Sequence, residues 1–210
     1  NHAAAQTVVA GPFFNPSTGS RYYRIQGDSY TQLRDYALTM GGDLVTIDDE
    51  AENSFVNTTL GQDFKPYIGL NDATTEGTFA WSDGSVGTYR KWRSGEPSNT
   101  ATKDYVRYAG STGEWEVVTI SFTPFAIVEI PASSPLRVPQ ELRTIADAVL
   151  GLATSGTNRI LVAPGTYTLA NGVNFQNCEI SGSGIGQTFI QTPANNSAFN
   201  MGPGSVLSNM

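Results

Sequence analysis

A strand, an acidic turn and a second strand occupy residues 67 to 84, and that order dictates a local sheet. Tyr67-Ile68-Gly69-Leu70 is a short apolar strand, and Asn71-Asp72 through Glu76-Gly77 is the acidic turn. Thr78-Phe79-Ala80-Trp81 follows, with aromatics on alternate positions as one buried face requires. The Asp83-Gly84 pair closes the unit with a tight turn. Tyr89, Trp92, Gly95-Glu96-Pro97 and Asp104-Tyr105-Val106 come next, spread through a long polar segment.

The residues before this unit alternate between strand and helix patterns. Arg21-Tyr22-Tyr23-Arg24-Ile25 reads as a strand. Ser29-Tyr30-Thr31-Gln32 has the Ser-x-x-Gln form of a capping box, and Leu33, Tyr36, Ala37 and Met40 follow at helical spacing. Gly41-Gly42 ends the helix, because glycine accepts a left-handed cap. Leu44-Val45-Thr46-Ile47 is a short buried strand. Asp48-Asp49-Glu50-Ala51-Glu52 then opens a second helix with its acids at the positive end of the dipole. Ala51, Phe55, Val56 and Leu60 are expected on its inner face. Strands and polar loops continue to Phe125-Ala126-Ile127-Val128-Glu129-Ile130. The first 20 residues carry Gly11, Pro12, Asn15, Pro16 and Gly19, and are expected to be an extended or loosely packed N-terminal extension. Ala3-Ala4-Ala5-Gln6 fits the small-residue remnant of a signal cleavage site, and a piece of a longer chain fits equally.

This order over residues 21–131 resembles the C-type lectin-like domain, an α+β fold used for recognition rather than bond-making. Gly41-Gly42-x-Leu44-Val45-x-Ile47, Tyr67-Ile68-Gly69-Leu70, Glu76-Gly77, Trp81-Ser82-Asp83-Gly84, Trp92 and Val128-Glu129 carry the resemblance. Where most relatives have paired cysteines, this chain has Ala37 with Val128, and Tyr105 with a residue near Thr119. The resemblance is therefore to cysteine-free members of bacterial or phage type, with apolar contact replacing covalent closure.

The resemblance also implies where ligands would sit. Family members that bind sugar hold calcium with a Glu-Pro-Asn loop, a later Glu, and an Asn-Asp pair after a Trp. Here Glu96-Pro97 is present, but Ser98 stands at the Asn position with Asn99 next, Lys103 replaces the later Glu, and Glu116-Val117 follows Trp115. Calcium takes six to eight oxygens, and this set is too poor to hold it. The bland alternative is a Pro97 turn with Glu96 paired to Lys103 or Arg93. A second family calcium position maps onto Asp72, Glu76, Asn99 and Asp104, whose bland role is hydrogen bonding to loop backbone. The ligand-binding candidates are Glu96, Asn99, Tyr89 and Tyr105; the tyrosines could stack on a sugar face or simply fill space beneath loops. Trp81, Trp92 and Trp115 are expected to be mainly core.

The pattern changes after a short stiff linker at residues 132–136. Thr144-Ile145-x-x-Ala148 reads as a brief helix, and Ile160-Leu161-Val162-x-Pro164-Gly165-x-Tyr167 as a buried strand and turn. Short runs recur at Val173-Asn174-Phe175, Glu179-Ile180, Phe189-Ile190 and Val206-Leu207. Residues 137–210 thereby resemble the cap and first coils of an all-β right-handed parallel β-helix of pectate-lyase type. Coils of a solenoid bury their core only against neighbours. The pattern still runs at Met210, so the edge is expected to continue in a longer chain or to be covered by a copy of itself or another subunit. Gly182-Ser183-Gly184-Ile185-Gly186 lacks the spacing of a phosphate cradle and reads as solenoid turns.

Bulk properties exclude several functions. The net charge of -7 repels phosphate backbones, so nucleic acid is not an expected partner. No apolar run approaches the roughly 20 residues of a membrane span. Cys178 stands alone, so no internal disulfide forms, and it is expected to be a small buried hydrophobe. The only histidine is His2, and no nucleophile elbow, zinc-protease helix or P-loop occurs, so no enzyme is expected. Together these readings describe an extracellular, cell-surface or virion module that recognises a glycan or protein through the loop 88–103, with no cofactor unless calcium sits at Asp72. Two alternatives remain: a filament, sheath or virion subunit assembling through the β-helix edge, and the N-terminal fragment of a carbohydrate-active β-helix enzyme.

Overall fold

The structure, a computed structural model, describes residues 6–98, 100–121, 123–138, 159–168, 174–175, 178–182, 188–191, 200–201 and 206–208. The chain divides into two compact units, residues 1–131 and 132–210. Among the described residues no helix is long and apolar enough to cross a membrane.

The first unit is α+β. Its strands are β1 (Thr7–Phe14), β2 (Arg21–Gln26), β3 (Asp43–Leu44), β4 (Tyr67–Asn71), β5 (Ala80–Trp81), β6 (Tyr105–Tyr108), β7 (Trp115–Val118) and β8 (Phe125–Ile130). They form one sheet of order β1-β2-β8-β4-β6-β7, with β3 added to β8 and β5 to β4. Antiparallel pairing of β2 with β8, from Arg21 opposite Ile130 to Gln26 opposite Phe125, brings the two ends of the unit together.

The N-terminal segment is extended and largely exposed, and it is also paired into the sheet. Its turn formers sit inside or beside a true strand, and β1 pairs with β2 along its length. The register shifts between Val8 and Ala10 and again between Ala10 and Phe13. Pro12 has no N–H to give, and an irregular edge strand is where the sheet tolerates that.

Both faces of the sheet are buried, and strand alternation sends neighbours to opposite cores. Tyr22, Ile68, Val106 and Ile127 join Trp81 and Trp115 on one face. Tyr23, Tyr67, Val118 and Val128 join the helix residues Leu33, Ala37 and Met40 on the other. Ala37 and Val128 are fully buried in that second cluster, and Tyr105 lies opposite Val118 in the β6–β7 register. Apolar packing thus occupies the positions where the resemblance places cysteines.

The helices are α1 (Tyr30–Met40) and α2 (Glu50–Val56), the latter running into a π-helical turn at Asn57–Gly61. Ser29 caps α1 by accepting from the Gln32 backbone N–H at 3.4 Å, but the Gln32 side-chain oxygen is buried without a partner, so the capping box is one-sided. Gly41 ends α1 at φ 88° in the left-handed region. A Cβ on Gly42 would overlap the Glu129 carbonyl, so helix and sheet meet only because this residue is glycine. In α2, Asp49 is the cap, accepting from the Glu52 N–H at 2.8 Å. Val56 and Leu60 are buried and Phe55 packs on the same core, as the pattern predicts, but Ala51 is exposed and the polar Glu52 and Asn53 are buried beside them. Partners make this tolerable: Glu52 accepts from the Tyr22 hydroxyl at 2.6 Å and from the Asp48 N–H at 2.9 Å.

In the second unit every described strand pair is parallel. The strands β9 (Leu136–Val138), β10 (Arg159–Val162), β13 (Glu179–Ser181) and β16 (Val206–Ser208) form one ladder of order β16-β13-β10-β9. Ile160 lies opposite Leu136 on one side and Ile180 on the other, and Ile180 opposite Leu207. Two further parallel pairs join β11 (Gly165–Thr168) to β14 (Thr188–Gln191) and β12 (Asn174–Phe175) to β15 (Asn200–Met201). Ile160, Val162, Cys178 and Ile180 are buried. The helix expected at 144–150 and most of the glycine turn at 182–186 lie outside the described residues.

Candidate functional site

The long loop after β5 is anchored on β7, the outer strand of the sheet. The Trp115 N–H donates to the Lys91 carbonyl at 2.7 Å and the Arg93 N–H to the Trp115 carbonyl at 3.0 Å. Three aromatic rings, Trp81, Tyr89 and Trp92, meet the buried Trp115 ring edge-on with centroids 5.6 to 6.1 Å away. Asn53 fixes the centre of this cluster. Its Oδ1 accepts from Trp115 Nε1 and the Tyr108 hydroxyl, both at 3.0 Å, and its Nδ2 donates to the Gly113 carbonyl at 3.0 Å. The sequence gives no sign of this role, because a helical Asn reads as solvent-facing.

Glu96 does not pair with Lys103 or Arg93. The Glu96–Pro97 peptide is cis, and Glu96 Oε2 accepts from the Ser98 N–H at 2.7 Å and the Val117 N–H at 3.2 Å. Arg93 instead pairs with Glu116 at 2.7 Å, and Arg107 reaches the same carboxylate at 2.6 and 2.9 Å. The β6–β7 register sets Arg107 opposite Glu116, a contact that residue spacing alone could not reveal. A buried carboxylate is thereby neutralised by two guanidinium groups. The residues around Glu96 do not fit a calcium ion: one acid serves backbone donors and the other is held by arginines. Among the described residues no carboxylate pairs with Lys103.

The other ligand-binding candidates scatter. The Tyr89 hydroxyl donates to Glu50 Oε2 at 2.6 Å, and Lys91 pairs with the same carboxylate. Burial first, and this carboxylate second, push the Tyr89 hydroxyl above its usual range. Tyr105 packs on Tyr30 at 4.3 Å, within the cluster under α1, whereas Tyr89 packs against the opposite one. The two tyrosines therefore do not form one sugar platform. Asn99 lies outside the described residues.

Asp72, Glu76 and Asp104 do share one neighbourhood. Asp72 is 2% exposed; its Oδ2 accepts from the Gly77 N–H at 2.9 Å while Oδ1 has no partner. Its own N–H donates to the Asp104 carbonyl at 3.0 Å. Glu76 is raised above the usual carboxylate range, by desolvation first and then by the charges of Asp72 and Asp104. The orphaned oxygen and shared negative field suit a cation. The ligand count does not, since among the described residues no group of three His, Cys, Asp or Glu side chains is placed to hold a metal ion.

Comparison with known proteins agrees with this geometry. The family model for the lectin C-type domain matches residues 26–121. C-type mannose receptor 2 of Homo sapiens is 35% identical over 113 residues, which is 51% of this chain and 8% of the receptor. Lectin BRA-3 of Megabalanus rosa is 34% identical over 87 residues, covering 40% of this chain and 53% of that protein. Human lithostathine superimposes with a TM-score of 0.51 at 26% identity, over 58% of this chain and 90% of that one. The chain thus spans a small part of the receptor and about half of the shorter lectin. Family match, sheet order and aromatic cluster agree: residues 26–121 are a C-type lectin domain.

Proposed function

We propose that the chain is a non-enzymatic recognition module acting outside the cell, on a cell surface or on a virion. It takes a glycan or protein through the loop 88–103, without calcium at Glu96. The commitment of Glu96 to backbone donors and of Glu116 to two arginines carries this reading. The rigid aromatic base beneath the loop supports it, since binding residues on loops need a fixed scaffold. A glycan array in calcium and in chelator tests it. Equal binding in both is the expected result; strong binding that chelator abolishes overturns it.

Any ion would sit with Asp72, Glu76 and Asp104, where it would quench their mutual repulsion and brace the turn. The sugar-binding function does not run through it.

A second reading rests on the second unit. Its uniformly parallel ladders support the start of a parallel β-helix, and β16 is the outer strand of the longest one. An outer strand invites pairing with a copy of this chain or with another subunit. Light scattering of the full chain checks this: concentration-dependent assembly supports it, and a stable monomer overturns it.

A further inference from the structure

The loop 88–103 is basic on an acidic protein. It carries Arg90, Lys91, Arg93 and Lys103 against one acid, Glu96, a net charge of +3. The whole chain carries -7, so the residues outside the loop sum to -10. Part of the loop's charge is answered locally. Lys91 pairs with Glu50, which also takes the Tyr89 hydroxyl. Glu96 is engaged by the Ser98 and Val117 N–H groups. Arg90 donates to the carbonyls of Gly87, Tyr89 and Phe79, dipoles that leave its charge in place. Among the described residues no carboxylate pairs with Lys103. The neighbouring Asp104 turns its field on Glu76 and Tyr105.

An independent feature lies where the loop is anchored on β7. The Glu116 carboxylate answers two guanidinium groups, Arg107 at 2.6 Å and Arg93 at 2.7 Å. One negative charge faces two positive ones, and the surplus falls on the outer partner. The Arg93 side chain is 47% exposed, against 10% for Arg107 and 8% for Glu116. Its backbone is pinned on both sides, the N–H to the Trp115 carbonyl and the carbonyl to the Glu96 N–H, each at 3.0 Å. A guanidinium has five donors, and the ion pair with Glu116 runs through Nη1, which leaves the exposed remainder for a ligand. Lys103 is four residues before Arg107, at most about 14 Å away along even a fully extended chain. Its backbone is pinned too, the N–H donating to the Thr100 carbonyl at 2.8 Å.

We propose that the loop 88–103 selects an anionic glycan, bearing sulfate or carboxylate groups, through Arg93 and Lys103. The proposal rests on the reading of this loop as the recognition surface and names its ligand class. A planar guanidinium meets an oxyanion with paired N–H donors. The negative remainder of the chain repels an anionic ligand elsewhere, so the loop is where it is drawn in. No bridging metal is needed, because the ligand itself supplies the opposite charge. A glycan is favoured over an acidic peptide because its anionic groups stand on rigid rings, at fixed spacings that suit cations on a pinned backbone.

Three hexasaccharides, titrated into the full chain by calorimetry in chelator, test this. One is derived from heparin and carries sulfate and carboxylate, one from hyaluronan and carries carboxylate alone, and maltohexaose is neutral. The heparin hexasaccharide is expected to bind saturably and at least about tenfold tighter than maltohexaose, more weakly as salt is raised. Hyaluronan binding as well assigns the contact to carboxylate, and hyaluronan failing assigns it to sulfate; both support the proposal. Arg93→Gln is expected to weaken the heparin hexasaccharide about tenfold, and Arg93→Lys to recover part of that loss. Lys103→Gln is expected to weaken it several-fold. Arg107 still answers Glu116 in Arg93→Gln, so the melting temperature is expected to change little. No saturable binding of either anionic chain, or equal affinity for maltohexaose or for hexaglutamate, overturns the anionic-glycan preference alone. Tight binding unchanged in folded Arg93→Gln and Lys103→Gln overturns it together with the loop as contact surface.

Discussion

Asn53 shows how much one side chain can hold. It satisfies a buried indole, a buried phenol and a loop carbonyl at once. Asn53→Ala leaves those groups without their partner, and the expected loss is about 2–4 kcal/mol, read from urea unfolding. Asn53→Asp keeps the acceptor but loses the donor to Gly113, so a smaller loss is expected. Asp72 behaves oppositely. Asp72→Asn keeps the acceptor for the Gly77 N–H and removes repulsion with Glu76 and Asp104. In chelator it is expected to raise the melting temperature by a few degrees, an effect on the order of 1 kcal/mol in a unit of this size. If added calcium stabilises the wild type by more than that and leaves Asp72→Asn unmoved, an ion is bound at this turn.

Between strands and helices the decisive contacts are acids in the interior. Glu116 joins β7 to β6 and to the loop base through Arg107 and Arg93. Glu116→Ala takes from the buried Arg107 the carboxylate it is paired with, and a loss of about 3–5 kcal/mol is expected from denaturant unfolding. Glu52 on α2 and Glu129 on β8 share the Tyr22 hydroxyl from β2. Burial first, and the Glu52 charge second, push the Glu129 carboxyl up to about 7, and burial also raises Glu52. A carboxyl that holds its proton more tightly when folded stabilises fully below its unfolded value near 4.5. That contribution is lost as pH rises to about 7. Glu129→Gln is therefore expected to change stability little at pH 4.5 and to raise it by about 1–2 kcal/mol at pH 8. Thermal melts of both proteins across that range check it; a parallel offset at every pH would show that Glu129 does not titrate there. Gly42 belongs to the same scale. Gly42→Ala drives a methyl into the Glu129 carbonyl, and separation of α1 from β8 is expected, seen as a loss of near-ultraviolet dichroism.

Over the whole molecule, residue order and chemical type determined a good deal. The Ser29 cap, the Gly41 left-handed end, the alternation of Tyr67 to Trp81 and the lectin-like order all depend on neighbours within a few positions, which a sequence displays. Ser98 after Glu96-Pro97 and Lys103 further on are likewise visible as letters. Tertiary structure decided the rest. β1 became a strand because β2 offered it a free edge, an attraction that outweighs Pro12 and the glycines. Glu52 and Asn53 faced inward because Tyr22, Tyr108 and Trp115 were waiting across the core. Arg107 and Arg93 met on Glu116 only once the register of β6 and β7 was fixed. Buried polar groups are placed by partners distant in the chain, and a local pattern carries no record of where those partners will be.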